Sequence, residues 1–232
     1  MAAARQELPG AIVEAAGDRR GGATEVARRA LDGLLEVAGD PELLAAAADL
    51  LLEGQPAMAP VWHLARAARS ANPAAALAEL RERLDGETAA AAETAAGWLR
   101  GRLGSPAGPV ATVSHSSLVE AVLERLGPPA TRGRPAVALV GADAIGPEAL
   151  LNAAGTRLLA ARLPTLVVST RLKLVPAGVF ARLAAPGFEM VPLDLVDAVV
   201  LGPELLAPDA AGRRAAALEG GQARGPTRSG TP

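Results

Sequence analysis

The pattern of the chain changes once, at Ser105-Pro106, and that change constrains the fold more than any single residue does. Before it, the apolar residues keep helical spacing. From Thr24 to Ala38, residues Ala27, Ala30, Leu31, Leu34, Leu35 and Ala38 share one face of a helix. Asp40-Pro41 and Asn72-Pro73 each set a cap residue before a proline at the first helical position. They open helices running through Leu52 and to about Leu84. Gln55-Pro56 breaks the chain before another helix, from about Ala59 to Ser70, and a fifth over Glu87 to Leu103 is closed by Gly104. After the change, Pro109 to Ser114, Ala136 to Ala142 and Pro164 to Thr170 are short Val-, Leu- and Ala-rich runs bounded by Gly or Pro. Helical patterns at Ser117 to Leu126 and Pro147 to Leu163 separate them. Strands alternating with helices imply βαβ units and a parallel sheet covered on both faces. A weaker strand is expected at Phe188 to Val191 and a closing helix at Leu193 to Leu201.

The chain is thus expected to be α/β: an N-terminal all-helical domain over residues 18–105, then a parallel-sheet domain over 106–212. Residues 1–17 are expected to be a flexible N-terminus. From Arg213 the chain holds little to bury, so 213–232 is expected to be a disordered tail. No internal repeat is found.

Composition narrows the chemistry. Half of the residues are hydrophobic but only 2% are aromatic, so the core is made of Ala, Leu and Val. A formal net charge of -2 gives no footprint for nucleic acid or a membrane surface. There is no cysteine, which removes disulfides, thiolate metal sites and thiol nucleophiles together. Residues 1–10 lack the apolar stretch of a signal peptide, and the apolar runs are interrupted by charge well before membrane-spanning length. A cytoplasmic soluble protein is expected by elimination. His63 stands beside Trp62 with no second ligand at metal spacing, so no metal and no cofactor are expected.

In an open parallel sheet, ligands bind beyond the carboxyl ends of the strands. Three polar clusters fall there: Ser114-His115-Ser116-Ser117, Gly141-Ala142-Asp143, and Ser169-Thr170-Arg171 with Lys173 beyond. A fourth candidate is the turn Arg19-Arg20-Gly21-Gly22, where glycines before a helix leave backbone N–H groups free for an anion. Each also has a plainer reading. The arginine-glycine turn could be a solvated loop. Ser114 and His115, adjacent on a strand, point to opposite faces and make a poor nucleophile and base. Ser117 with Glu120 fits a capping box, Asp143 could cap a following helix, and Lys173 could be an exposed loop lysine.

Taken in order, these residues resemble the translation initiation factor 2B family, which also contains methylthioribose-1-phosphate isomerase and ribose-1,5-bisphosphate isomerase. Gly141-Ala142-Asp143 followed by Asn152-Ala153-Ala154-Gly155-Thr156 resembles the family's G-A-D and N-K-I-G-T signatures. Thr112 to Ser117 is similar to its T-H-S or T-H-C strand end, and Arg20-Gly21-Gly22-Ala23 to its R-G-A phosphate turn. Phe188 to Pro192 and Leu195 to Val200 resemble its closing segment. The resemblance spans roughly residues 18 to 208 and implies that the second domain is a reduced Rossmann-like one.

The departures carry as much meaning. The isomerases' cysteine corresponds to Ser116, whose hydroxyl is far less acidic and has no evident partner base. The family's lysine in N-K-I-G-T corresponds to Ala153, and a phosphate-contacting arginine falls at Met58. Asp143, Asn152 and Lys173 match, and Lys173 is the only lysine in the chain. The interval from Ser117 to Gly141 has room for one helix and one strand, so four parallel strands and a pocket lacking one wall are expected. The resemblance implies a non-catalytic member that binds a phosphorylated sugar or nucleotide and associates as a homo-oligomer or with a paralogous subunit. Its ligand would meet Arg20, Gly22, Ala23, Ser117, Asn152 and Lys173, with Asp143 and Ser116 in the catalytic positions. The alternative is a working sugar-phosphate isomerase in which Asp143 acts with water or Ser116.

Overall fold

In the first hundred residues the abundance of alanine allows helix axes to come close together. A computed structural model of the chain describes residues 7–104, 108–113, 116–128 and 133–220. It begins with α1 (Gly10–Gly17), α2 (Ala23–Glu36), α3 (Pro41–Gly54), α4 (Ala59–Ala68) and α5 (Pro73–Leu103). Asp40 accepts the N–H groups of Glu42 and Leu43, and Asn72 that of Ala75, as their cap-and-proline pairs require. The expected flexible N-terminus is corrected from residue 10 onward. Ile12, Ala15 and Ala16 are buried in the helical core, and Gly33 of α2 lies so near that a Cβ there would stand 2.6 Å from the Ile12 side chain. Each fully buried Ile or Leu in such a core contributes roughly 1.5–3 kcal/mol.

The two helices expected over 73–84 and 87–103 are one, since α5 runs unbroken for 31 residues through Gly86. Its first half packs Leu77 and Leu84 into the helical core. Its second half lays Ala91, Ala92, Ala95, Ala96 and Leu99 against Leu139, Leu166 and Val200 of the sheet. The two cores therefore divide inside α5 rather than at residue 105.

Beyond α5 come β1 (Val110–Ala111), α6 (Ser117–Leu126), β2 (Val137–Val140), β3 (Ala144–Ile145), β4 (Ala149–Ala153), α7 (Thr156–Ala160) and β5 (Thr165–Ser169). They are followed by a 3-10 turn (Arg171–Lys173), α8 (Ala177–Phe180), β6 (Phe188–Pro192), a second 3-10 turn (Leu193–Leu195), β7 (Ala198–Leu201), β8 (Glu204–Leu206) and α9 (Pro208–Gly220). The main sheet has the order β1-β2-β5-β7-β8. Its first four strands are parallel: β1, β2 and β5 fall in the three runs expected to be strands, the fourth is β7, and β8 returns antiparallel. Every residue of β2, β5 and β7 is buried, which is why these strands read as unbroken apolar runs. Helices α5 and α6 cover one face. The other meets Ala211 and Ala215 of α9 and the apolar residues of a second sheet.

That second sheet overturns one expectation. Pro147 to Leu163 is not a helix but part of an antiparallel sheet ordered β3-β4-β6, followed by the short α7. Pairing with β6, Leu150 to Val191 and Asn152 to Glu189 among others, outweighs the helix-forming character of the Leu and Ala residues. Gly155, at φ 100°, ends the strand and opens α7. Likewise Leu193 to Leu201 is a 3-10 turn and β7 rather than a helix, with Val199 and Val200 each fully buried, on opposite faces of the sheet. Residues 213–220, expected to be disordered, complete α9 and bury Ala215. Residues 221–232 lie outside the described residues. Among the described residues no helix is long and apolar enough to cross a membrane.

Candidate functional site

Helix α2 begins at a turn whose shape is set by a carboxylate. Asp18 accepts the N–H groups of Arg20 and Gly21, each at 2.8 Å, and pairs with Arg29 at 2.9 Å. These bonds hold its carboxyl below the usual aspartate range, the two backbone N–H groups contributing most. A Cβ on Gly21 would come within 2.6 Å of that carboxylate. Arg19 braces the loop by donating to the carbonyls of Ala16 and Gly54, at 3.0 and 2.8 Å. Buried Gln55 donates from its amide to Ala15 and Asp18 carbonyls, at 2.8 and 2.6 Å. Of the two arginines only Arg20 is left over; its exposed side chain makes no hydrogen bond among the described residues. Gly22 is the N-cap of α2 and supplies no side-chain acceptor, so the first N–H groups of this 14-residue helix are uncapped by any side chain.

On the sheet side, Ser116 is the N-cap of α6, its hydroxyl accepting from the Val119 N–H at 3.5 Å. The capping role expected of Ser117 thus belongs to its neighbour. Ser117 is the first helical residue, and its hydroxyl is buried without a partner. The Ser116 hydroxyl lies 3.2 Å from where a Cβ on Gly141 would stand, so the G of G-A-D makes room for it. Ser114 and His115 lie outside the described residues. Asp143 caps no helix: its N–H donates to Leu151 at 2.8 Å, and its carbonyl accepts from Ala59, at the start of α4, at 2.9 Å. Asn152 is buried on β4 and donates to the Thr156 hydroxyl at 3.0 Å. Glu189 accepts the N–H groups of Gly155 and Arg157, each at 2.8 Å, so the start of α7 is already occupied by the protein's own carboxylate.

Lys173 sits in the 3-10 turn after β5 with only 4% of its surface exposed. Its ammonium forms no hydrogen bond or ion pair within 4 Å among the described residues. Burial lowers its pKa to about 8, against the pull of Asp143. Burial in turn raises the Asp143 carboxyl above the usual range, opposed by Lys173. The plain reading of Lys173 as an exposed loop residue is therefore corrected. His63 is committed elsewhere, its Nε2–H donating to the Leu174 carbonyl at 2.8 Å, and burial lowers its pKa.

The two sides enclose a cleft of about 490 Å3. Arg20, Gly22, Ala23, Ser116, Asp143, Asn152 and Lys173 all line it, while Ser117 does not. Met58, where the resembling family has arginine, adds an apolar stretch with Ala57, Pro186 and Phe188. Reasoning from sequence missed Asp18, Gln55 and Glu189. Asp18 had a local signal, since an Asx residue three and four positions before a glycine pair favours a turn of this kind. Among the described residues no group of three or more His, Asp or Glu residues is placed to hold a metal ion.

No family model and no curated protein sequence matches the chain. Solved structures do. Translation initiation factor eIF-2B from Pyrococcus horikoshii OT3 superposes with a TM-score of 0.68 at 18% identity, over 88% of this chain and 99% of that one. A subunit of the tetrameric eIF2B-beta2-delta2 complex from C. thermophilum gives 0.63 at 16% identity, over 90% and 93%. The 5-methylthioribose 1-phosphate isomerase from Pyrococcus horikoshii OT3 gives 0.58 at 14% identity, over 90% and 87%. Helical layer, long shared helix and parallel sheet together make the fold of this chain an eIF2B-like one, common to the initiation-factor subunits and the isomerase.

Proposed function

We propose that this chain is a cytoplasmic binding protein that takes a phosphorylated sugar or nucleotide into the cleft and does not convert it. The observation that carries the reading is Lys173: a residue only 4% exposed whose ammonium is attracted by Asp143 but hydrogen-bonded to no group among the described residues, on the wall of a cleft that also holds the uncapped start of α2. Burying an unpaired charge is costly, and an anionic ligand would supply the missing partner. In this reading the α2 N–H groups and Arg20 take phosphate, Lys173 a further anionic oxygen, and Asp143 and Asn152 the ligand's hydroxyls. Ser116 argues against turnover, because its hydroxyl caps α6 and stands where a reactive thiol would be needed. Association with itself or with a paralogous subunit is part of the proposal, supported by likeness to a subunit of a tetrameric complex.

Thermal-shift measurement against sugar phosphates and nucleotides tests the binding. A ligand at a hundred times its dissociation constant adds about 2.7 kcal/mol of apparent stability. A flat response to every one of them defeats the reading. The second reading, a sugar-phosphate isomerase, is favoured by the raised pKa of Asp143, which suits a general acid or base. Incubation with ribose 1,5-bisphosphate and 5-methylthioribose 1-phosphate is expected to give no product. Turnover that Asp143→Asn abolishes would replace the binding reading with the catalytic one.

A further inference from the structure

Lys173 has no partner of its own to fix it, yet the turn around it is anchored on three sides by the helical layer. Glu87, midway along α5 and only 6% exposed, accepts the Arg171 N–H through Oε2 at 2.6 Å and the Arg171 guanidinium through Oε1 at 3.0 Å. The chain after β7 closes over this carboxylate, since a Cβ on Gly202 would approach the Glu87 Cγ to 3.2 Å. Arg171 also pairs with Glu204, which in turn holds Arg214 of α9 at 2.8 and 2.5 Å. Between Arg171 and Lys173, Leu172 is buried in the helical core. On the far side, His63 of α4 donates from Nε2 to the Leu174 carbonyl at 2.8 Å.

A buried carboxylate and a half-buried imidazole are expensive means of merely filling space, because each gives up water. What both buy here is a fixed backbone on either side of one residue. We propose that Glu87 and His63 are positioning residues: from α5 and α4 they lock the backbone of Arg171 to Leu174, so that the Lys173 ammonium is presented to an anion in the cleft. This rests on the cleft's being a phosphate-binding site. The charged and titratable groups that bear on Lys173 are then Asp143 on the same side of the cleft, the Glu87–Arg171 pair before it and neutral His63 after it.

The single lysine makes the test direct. Protein labelled with 13C- and 15N-lysine gives one side-chain signal, whose titration midpoint reports the surroundings of Lys173 alone. That midpoint and the affinity for inorganic phosphate at pH 7 are measured for the wild type, Glu87→Gln and His63→Phe, with Arg213→Ala, an exposed side chain on α9, as control. Loosening either anchor lets more water reach the ammonium. The midpoint is expected to rise by about half a unit or more towards the ordinary lysine value. Phosphate affinity is expected to fall about fivefold or more, although the lysine stays protonated at pH 7. Either folded variant suffices. If both variants melt lower but leave the midpoint and the affinity as in the wild type, the anchors are only structural and the inference is overturned. If the midpoint moves in the variants while no protein, the wild type included, binds phosphate, the positioning holds and the binding reading fails.

Discussion

The two walls of the cleft supply positive charge in opposite ways. Before α2, the charge comes from the helix's first backbone N–H groups and from Arg20, exposed on a loop where Asp18 takes the N–H groups of Arg20 and Gly21 and backbone carbonyls take Arg19. A guanidinium there faces water and is screened by salt. Beyond β5, the charge is one amine, buried and unpaired, with a pKa of about 8. The first wall would hold an anion through exposed groups; the second would hold it through one charge that depends on its proton. On the binding reading proposed above, an anion would draw most of its affinity from Lys173.

Several measurements can break or sharpen that contrast. The largest effect is expected from Lys173→Met, which keeps the bulk and removes the charge. Phosphate binding should weaken at least about tenfold, the loss of one charge-assisted hydrogen bond. The ligand-free protein should melt higher, because an unpaired buried charge is gone and Asp143 can take up a proton. A melt that falls instead would mean the ammonium has a stabilising partner.

Next comes pH. Wild-type phosphate affinity should decline as pH rises through about 8, where Lys173 loses its proton, and this dependence should vanish in Lys173→Met. Stability should move the other way. With the lysine pKa lowered from 10.5 to about 8 by folding, the unfolded chain binds more protons between those values, so this residue's contribution rises with pH across that window. Urea unfolding of wild type and Lys173→Met at several pH values gives the difference.

Arg20→Ala should cost only about three- to fivefold in phosphate affinity, the loss shrinking in high salt. An effect equal to that of Lys173→Met would abolish the distinction between the walls. Smallest of all, Asp18→Asn keeps an acceptor for the turn's N–H groups but loses the pairing with Arg29. It should lower stability by about 1 kcal/mol or less at neutral pH. Because folding lowers this carboxyl's pKa, the difference should fade as the pH drops below 4, where the wild-type aspartate also protonates.

How much was legible in the sequence follows from how local each signal is. The R-G-G-A turn, the G-A-D and the lone lysine could be singled out because each is a short pattern at the end of an element, and the family resemblance is what brought them to one cleft. Caps and prolines marked α3 and the start of α5 for the same reason. The β3-β4 hairpin was hidden, because Leu150 to Ala154 reads as helix until β6, about forty residues on, pairs with it. Val199 and Val200 did signal a strand, being β-branched, and were outweighed by the apolar spacing around them. Glu87 could not have been found: the residue it holds lies 84 positions away, and within its own helix it is one more acidic residue among several. Ser117 misled for a subtler reason, since a serine pair before a helix leaves open which of the two is the cap.

The unbroken run of α5 has a consequence for how the molecule comes apart. One half of that helix is roofed by the helical core and the other half roofs the sheet. A helix propagates cheaply but nucleates at high cost, so its two halves do not melt independently. Loss of either core would strip the other of a wall, and neither region is a separable module. The protein should therefore unfold in a single cooperative step. Amides around Leu84 and Ala95, on opposite sides of the junction, should exchange with deuterium at the same free energy.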